Sequence, residues 1–227
     1  CRGEGEGAIV EFCRLLISNG RIDNVKNFTI KDNGKIYKNS MRAPIDINDV
    51  PIPDWDLFET GSLYRPMQGK IWRAVGLETQ RGCPYTCTFC NSPSNNVIYK
   101  NETNSQFHRK KSIKRMEKEL DFLVKKYDPN LIYFVVDTFL AMSNREFDEL
   151  KELYSNYKIP FWMNTRSETM TEDRAKGLDK MNMLRMSFGI EHGNPDYRKS
   201  MLKRRVTNEV MLDGFRACAD RNFVTTG

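Results

Sequence analysis

The chain has 227 residues, of which 39% are apolar and 29% charged, and carries a formal net charge of +6. This length allows one large domain or one and a half, with enough apolar residues to fill a core. No apolar run approaches the ~20 residues of a membrane span, which excludes a transmembrane helix as the organising element. Six cysteines (Cys1, Cys13, Cys83, Cys87, Cys90 and Cys218) make an even count, but three fall within eight residues and the others stand singly in apolar surroundings. A disulfide framework fits that pattern poorly, and a reducing, cytoplasmic compartment fits it better. The chain opens at Cys1 and ends on Phe223-Val224-Thr225-Thr226, a run that reads as the start of a strand. It is therefore expected to be an internal piece of a longer protein.

In chain order, a loop Arg2-Gly3-Glu4-Gly5-Glu6-Gly7 leads into a helix whose apolar positions 9, 12, 13, 16 and 17 keep helical spacing, with Asn19-Gly20 as its stop. A glycine-rich loop that opens a helix can cradle a phosphate, but Glu4 and Glu6 oppose this, and a plain strand-to-helix turn is the competing reading. Residues 25–38 read as a hairpin about Asn33-Gly34. Between residues 43 and 67, Pro44, Pro51, Pro53 and Pro66 with intervening acids predict an extended, unpacked connector and a domain boundary. Beyond Gly69 the pattern alternates strand and helix. Strands are predicted over 71–79, 131–136, 160–164 and 184–190, with a fifth beginning at the end of the chain. Helices are predicted over 113–127 with Ser112 as N-cap, from Ser143 with a capping box to Glu146, from Thr171, from Asn194-Pro195 and from Thr207. Met163, Met181, Met183, Met186 and Met211, with Trp72 and Trp162, are expected in the core, and Trp55 is expected to pin the connector to a domain surface. Cys13 and Cys218 are expected to be structural. This alternation with buried strands implies a parallel sheet with right-handed crossovers: an α/β fold of the partial TIM-type (β/α) barrel kind.

In such folds reactive groups gather at the C-terminal ends of the strands. The predicted strands deliver Glu78-Thr79-Gln80-Arg81-Gly82, Asp137-Thr138, Asn164-Thr165-Arg166 and Glu191-His192-Gly193 to one edge. The first of these runs straight into Cys83-Pro84-Tyr85-Thr86-Cys87-Thr88-Phe89-Cys90. Three thiolates at C-x3-C-x2-C spacing are one short of a closed four-ligand site. A structural zinc site wants four ligands, no second Cys-x-x-Cys exists, and His108 is the nearest later candidate. Iron–sulfur ligation matches better and leaves one metal position open to an exogenous molecule. The basic residues Arg109, Lys110, Lys111, Lys114, Arg115 and Lys118, and again Lys203, Arg204 and Arg205, read either as a solvated surface or as a phosphate or nucleic-acid contact.

The run Gln80-Arg81-Gly82-Cys83-Pro84-Tyr85-Thr86-Cys87-Thr88-Phe89-Cys90-Asn91-Ser92-Pro93 resembles the signature of the radical S-adenosylmethionine (SAM) superfamily, in its cobalamin-binding branch. Pro53-Asp54-Trp55-Asp56-Leu57-Phe58 and Gly189-Ile190-Glu191 resemble other elements of that branch. Arg2-Gly3-Glu4-Gly5-Glu6 resembles the last turn of the Rossmann-like cobalamin-binding domain that precedes the barrel. The resemblance implies three regions: residues 1–20 as the tail of the cobalamin domain, 21–69 as hairpin and linker, and 70–227 as a truncated radical SAM barrel. It implies that Cys83, Cys87 and Cys90 hold a 4Fe–4S cluster, that the aminoacyl end of SAM chelates the fourth iron, and that one-electron cleavage yields a 5′-deoxyadenosyl radical. It places Phe89 on the adenine side, Asp137 near the SAM amino group, Arg166 with the SAM carboxylate and Glu191 at the ribose or amino end. It implies cobalamin, a small-molecule substrate and an electron donor such as flavodoxin or ferredoxin, for methylation or rearrangement of an unactivated carbon. Two departures stand out: His192 follows Glu191 where a small hydroxyl residue is common, and Thr138 follows Asp137 where a second acid is common. Methylthiolation of tRNA or protein, with nucleic acid as partner, and a non-catalytic iron–sulfur or zinc module are the alternatives. His192 is expected to be a rim histidine or an acid/base toward substrate.

Overall fold

The computed structural model describes residues 1–227. Helix α1 (Glu6–Ile17) is followed by hairpin strands β1 (Thr29–Asp32) and β2 (Lys35–Lys38). The turn is Asn33-Gly34, with φ of 46° and 81°, the left-handed pair that a two-residue hairpin loop demands. Strands β3 (Tyr64–Met67) and β4 (Lys70–Leu77) form a second hairpin, turning at Gln68 and Gly69 with φ of 52° and 71°. The next elements are β5 (Gln80–Arg81), α2 (Ser92–Thr103), β6 (Arg109–Lys110), α3 (Ile113–Tyr127), β7 (Leu131–Phe134), α4 (Asn144–Tyr154), β8 (Phe161–Arg166) and α5 (Glu172–Lys180). The chain closes with β9 (Met183–Gly189), α6 (Pro195–Ser200), α7 (Asn208–Arg216) and β10 (Val224–Thr226).

Strands β4, β7, β8, β9 and β10 lie side by side in parallel, and β3 adds an antiparallel edge. This is the expected partial barrel. Side chains alternate along each strand. Val75, Leu77, Ile132, Phe134, Phe161, Met163, Met186 and Phe188 point to the helix layer and belong to one core cluster of 25 residues. The opposite face carries Tyr133 stacked on Trp162 at 4.6 Å, and the Trp162 indole N–H donates to Ser187 Oγ (3.4 Å). Asn164 donates to the Tyr133 hydroxyl at 3.2 Å, and Ser187 Oγ meets Thr226 Oγ1 at 3.0 Å. The strands therefore have an apolar back and a mixed aromatic–polar front. The five methionines named above are buried as expected, whereas Trp72 and Trp162 are only half-buried.

The predicted caps hold. Ser112, Thr171 and Thr207 accept from the backbone N–H three residues on, and Asn194 Oδ1 accepts from Asp196 N and Tyr197 N. Ser143 and Glu146 form the reciprocal capping box. Burial alone would push the Glu146 carboxyl up. The Lys110 ammonium at 2.9 Å and the Ser143 N–H and hydroxyl outweigh burial and bring it from 4.5 down to about 2. A depressed carboxyl stabilises the fold above its unfolded value and loses that contribution as pH falls from 4.5 toward 2. In urea unfolding of the full-length protein, Ser143→Ala is expected to cost about 1 kcal/mol at neutral pH. Glu146→Gln is expected to flatten the pH dependence between those limits, and an unchanged slope would contradict the assignment.

Four expectations need correction. The connector is not loose: Ile47 is buried, and Trp55 packs its side chain against the core while its backbone N–H donates to the Tyr127 hydroxyl (3.0 Å). Pro66, taken there as a breaker, sits in the edge strand β3, where a missing N–H breaks no ladder. The predicted apolar face of α1 is not buried: Ile9, Leu16 and Ile17 are exposed, and the buried residue is Ala8. Cys13 lies on that exposed face, so it is not a structural core thiol, whereas Cys218 is buried as expected.

Candidate active site at the carboxyl edge of the sheet

Glu78 and Thr79 leave the end of β4, and the chain makes the two-residue ladder of β5 with β6 before Gly82. Gly82 has φ +81°, and a Cβ there would meet the Phe107 ring at 2.7 Å and its carbonyl at 3.0 Å, so the cysteine loop is entered through a residue that must be glycine. Helix α2 takes up the chain after the loop, and Asn96 Nδ2 donates to Cys83 O (3.0 Å). The far side of the loop rests on the α6–α7 connection, where Thr88 N donates to Leu202 O (3.2 Å) and Thr88 Oγ1 to Met201 O (2.6 Å).

Cys83, Cys87, Cys90, Phe89, Asp137, Arg166 and Glu191 all line one cavity of about 340 Å3 at this edge. The seven residues singled out from the sequence are thus brought together. Each thiol also has a partner of its own. Cys83 Sγ meets the Thr138 hydroxyl at 3.5 Å, Cys87 Sγ accepts from Arg166 Nη1 at 3.1 Å, and Cys90 Sγ accepts from Ser92 N at 3.4 Å. Burial pushes the Cys83 thiol up, opposed by the Thr138 hydrogen bond. No three His, Cys, Asp or Glu side chains are drawn closely enough to hold a metal ion by themselves.

The charged lining is ordered. The Arg166 guanidinium lies 3.8 Å over the Tyr85 ring and donates from Nε to Glu168 (2.6 Å). Arg204, 2% exposed, donates to Glu191 Oε1 (2.9 Å) and Gly189 O (2.7 Å). Glu191 itself has a left-handed backbone, φ 68°. Burial beside Arg166 pushes the Arg204 guanidinium down, whereas Glu168 and Cys87 hold that of Arg166 up against burial. Asp137 is exposed to the cavity and accepts from Ser92 Oγ (3.1 Å). Sequence reasoning missed Arg204 as a member of this lining and Glu168 as the partner behind Arg166. Arg204 was visible only as one cation in a basic run.

Other candidates lie elsewhere. His192 is exposed at the rim, where Nδ1 accepts from Asn194 N (3.0 Å) and the ring packs on Tyr197. His108 is half-buried, 3.4 Å from Gln80 Oε1, and burial beside Lys110 pushes its pKa down. It does not join the cysteines. The glycine-rich loop is not a phosphate cradle, because Arg81 engages Glu4 and Glu6 at 3.2 and 2.8 Å and Arg109 also pairs with Glu4. Four cations of the basic stretch are paired: Arg109 with Glu4, Lys110 with Glu146, and Lys111 and Arg115 with Glu119.

A parallel half-barrel with a three-cysteine loop at its carboxyl edge defines an enzyme of the α/β barrel class. The Radical SAM superfamily matches residues 77–227, and the chain belongs to it. That class of enzyme uses SAM and a 4Fe–4S cluster. An uncharacterized methyltransferase of Pyrococcus horikoshii is 28% identical over 204 residues, covering 86% of this chain and 40% of that protein. The anaerobic magnesium-protoporphyrin IX monomethyl ester cyclase of Rubrivivax gelatinosus is 24% identical over 234 residues, covering 99% of this chain and 40% of that protein. The chain thus spans about two-fifths of the length of these curated relatives. Among solved structures, the radical SAM methyltransferase TsrM of Kitasatospora setae, bound to tryptophan and a SAM analogue, aligns with a TM-score of 0.66 at 13% identity, over 99% of this chain and 44% of that one. The cobalamin-dependent SAM radical enzyme OxsB, with aqua-cobalamin bound, aligns with a TM-score of 0.70 at 22% identity, over 98% of this chain and 32% of that one. These likenesses show the fold. No helix of the chain is long and apolar enough to cross a membrane.

Proposed function

We propose that the chain is the central part of a cobalamin-dependent radical SAM enzyme that methylates or rearranges an unactivated carbon of a small molecule. The observation that carries this is one cavity, at the carboxyl edge of a parallel sheet, lined by three cysteines together with acids and arginines. Residues 1–20 are read as the end of a cobalamin-binding domain, 21–69 as hairpin and linker, and 70–227 as the barrel. The exposed apolar side chains of α1 support a neighbour on that side. The Pyrococcus relative and TsrM are named methyltransferases, TsrM with tryptophan as substrate, which supports methyl transfer, and the aqua-cobalamin bound to OxsB supports the cobalamin reading.

The donor set fits a cluster in kind: Cys83, Cys87 and Cys90 are thiols that share one cavity, and two receive N–H donors suited to thiolate charge. Bound there, the cluster and SAM would supply radical chemistry at an unactivated carbon, and cobalamin a methyl group. The protein's part is to bind and orient. Asp137 and Glu191 offer carboxylates to an ammonium, Arg166 offers a guanidinium to a carboxylate, and Phe89 offers an exposed ring to an adenine. Glu168 and Tyr85 hold Arg166 from behind. The electron comes from a flavodoxin or ferredoxin, and the setting is cytoplasmic.

Anaerobic reconstitution of the full-length protein is expected to give about four irons and four sulfides per chain, and 5′-deoxyadenosine when reductant and SAM are added. About one zinc per chain with no SAM cleavage would sink the proposal. Cobalamin is read independently from the absorbance of the purified full-length protein.

A further inference from the structure

We infer that the surface formed by Lys199, Lys203 and Arg205 is the docking site for the acidic redox protein that delivers the electron. This rests on the radical SAM reading above and names the partner that the site requires. The three cations are exposed, form no ion pair and donate no side-chain hydrogen bond. Most other basic side chains around the barrel edge are neutralised, as the pairs of Arg81, Arg109, Lys110, Lys111 and Arg166 show. Asp196 is the one exposed acid beside them. An unpaired cationic patch on an otherwise self-neutralised rim is an electrostatic target for an acidic partner.

Its position argues for electron delivery. The connection from α6 to α7 alternates outward and inward. Lys203 and Arg205 face solvent, while Arg204 between them is 2% exposed and lines the cysteine cavity. Lys203 and Arg205 share a depression of about 700 Å3 with Tyr85 and Thr86, residues of the cysteine loop itself. The same connection receives the two Thr88 hydrogen bonds from between Cys87 and Cys90. One residue layer therefore separates the patch from the thiols. The platform is also held rigid. Arg198 is fully buried and donates to His192 O, Val206 O and Asn208 Oδ1, and Arg204 N donates to Arg198 O (2.8 Å). A connection held in place before encounter loses little loop freedom on docking. The balance is one electron from the donor through the cluster to SAM, whose sulfonium carbon–sulfur bond breaks to methionine and a 5′-deoxyadenosyl radical; that radical takes one hydrogen atom from the substrate carbon to become 5′-deoxyadenosine, so the cleavage step oxidises one donor per bond broken.

The test compares two reductants on the reconstituted full-length enzyme: an acidic flavodoxin kept reduced by its reductase, and dithionite. With flavodoxin, K203E/R205E is expected to slow 5′-deoxyadenosine formation about tenfold or more and to remove the decline of rate with added salt. With dithionite it is expected to match the parent, and K203R/R205K is expected to keep the flavodoxin-driven rate. An unchanged flavodoxin-driven rate in the charge-reversed variant overturns the docking site. So does an equal loss with dithionite, which would assign the patch to SAM or substrate. If the parent enzyme cleaves no SAM with dithionite, the failure belongs to the radical SAM reading instead.

Discussion

Cys87→Ala is expected to abolish reductive SAM cleavage in the full-length enzyme, and to do so through the cluster. Cys87 is the middle thiol of the loop, buried, with its sulfur turned to the shared cavity and held by Arg166 Nη1 at 3.1 Å. Alanine offers no donor to iron, and a loop that supplies two thiolates cannot hold a four-iron cluster in a site made for three. Iron and sulfide content after reconstitution should fall together with 5′-deoxyadenosine. The loss should exceed about a thousandfold, which corresponds to a barrier increase of about 4 kcal/mol. Cys13→Ala and Cys218→Ala are the controls, since Cys13 lies on the exposed face of α1 and Cys218 is buried against α7 with its sulfur on Gly214 O (3.3 Å). Neither should change the iron content. A Cys87→Ala enzyme that still cleaves SAM would remove that residue from the ligand set.

The second large effect concerns the fold. Glu119 on α3 has a side chain only 2% exposed and accepts from Lys111 Nζ at 2.8 and 2.9 Å and from Arg115 Nε at 2.6 Å. Lys111 and Arg115 are themselves 4% and 10% exposed. Removing the acid leaves two cations in a place that water barely reaches, which costs far more than the pairing contributes. Glu119→Ala is expected to destabilise the full-length protein by about 3–5 kcal/mol in urea unfolding at constant m-value. Lys111→Met combined with Glu119→Leu should recover much of that loss, because the unpaired lysine charge disappears with its partner. A loss below about 1 kcal/mol for Glu119→Ala would show the pair to be far better hydrated than its burial indicates.

The legible parts of the fold are those whose causes lie within a few residues of their effects. Ser112, Ser143, Thr171, Asn194 and Thr207 cap helices through hydrogen bonds spanning two or three positions, so the sequence displays them directly. Strand β7, Leu131–Phe134, is buried at three of its four positions and reads as a continuous apolar run, whereas β8 and β9 show their apolar back at alternate positions. Helix α2 was invisible to periodicity because Val97 and Ile98 are exposed and only Tyr99 and Ser92 are buried. Strand β3 was hidden by Pro66, and the β5–β6 ladder is too short to leave a pattern. The cysteine spacing announced the site, and strand order placed Asp137, Arg166 and Glu191 beside it. Arg204 joins only because a later connection brings it to Glu191 and Gly189, which no local pattern encodes.

The Thr88 hydroxyl bond to Met201 O joins residues 113 positions apart. The cysteine loop is therefore shaped on one side by α2, a near neighbour in the chain, and on the other by the connection after α6. During synthesis the three thiols leave the ribosome long before that second wall exists. Contacts of such long sequence separation form late. Under the proposed cluster assignment, a chain ending before Met201 is expected to leave the three cysteines without their second wall, open to oxidants and to competing metals.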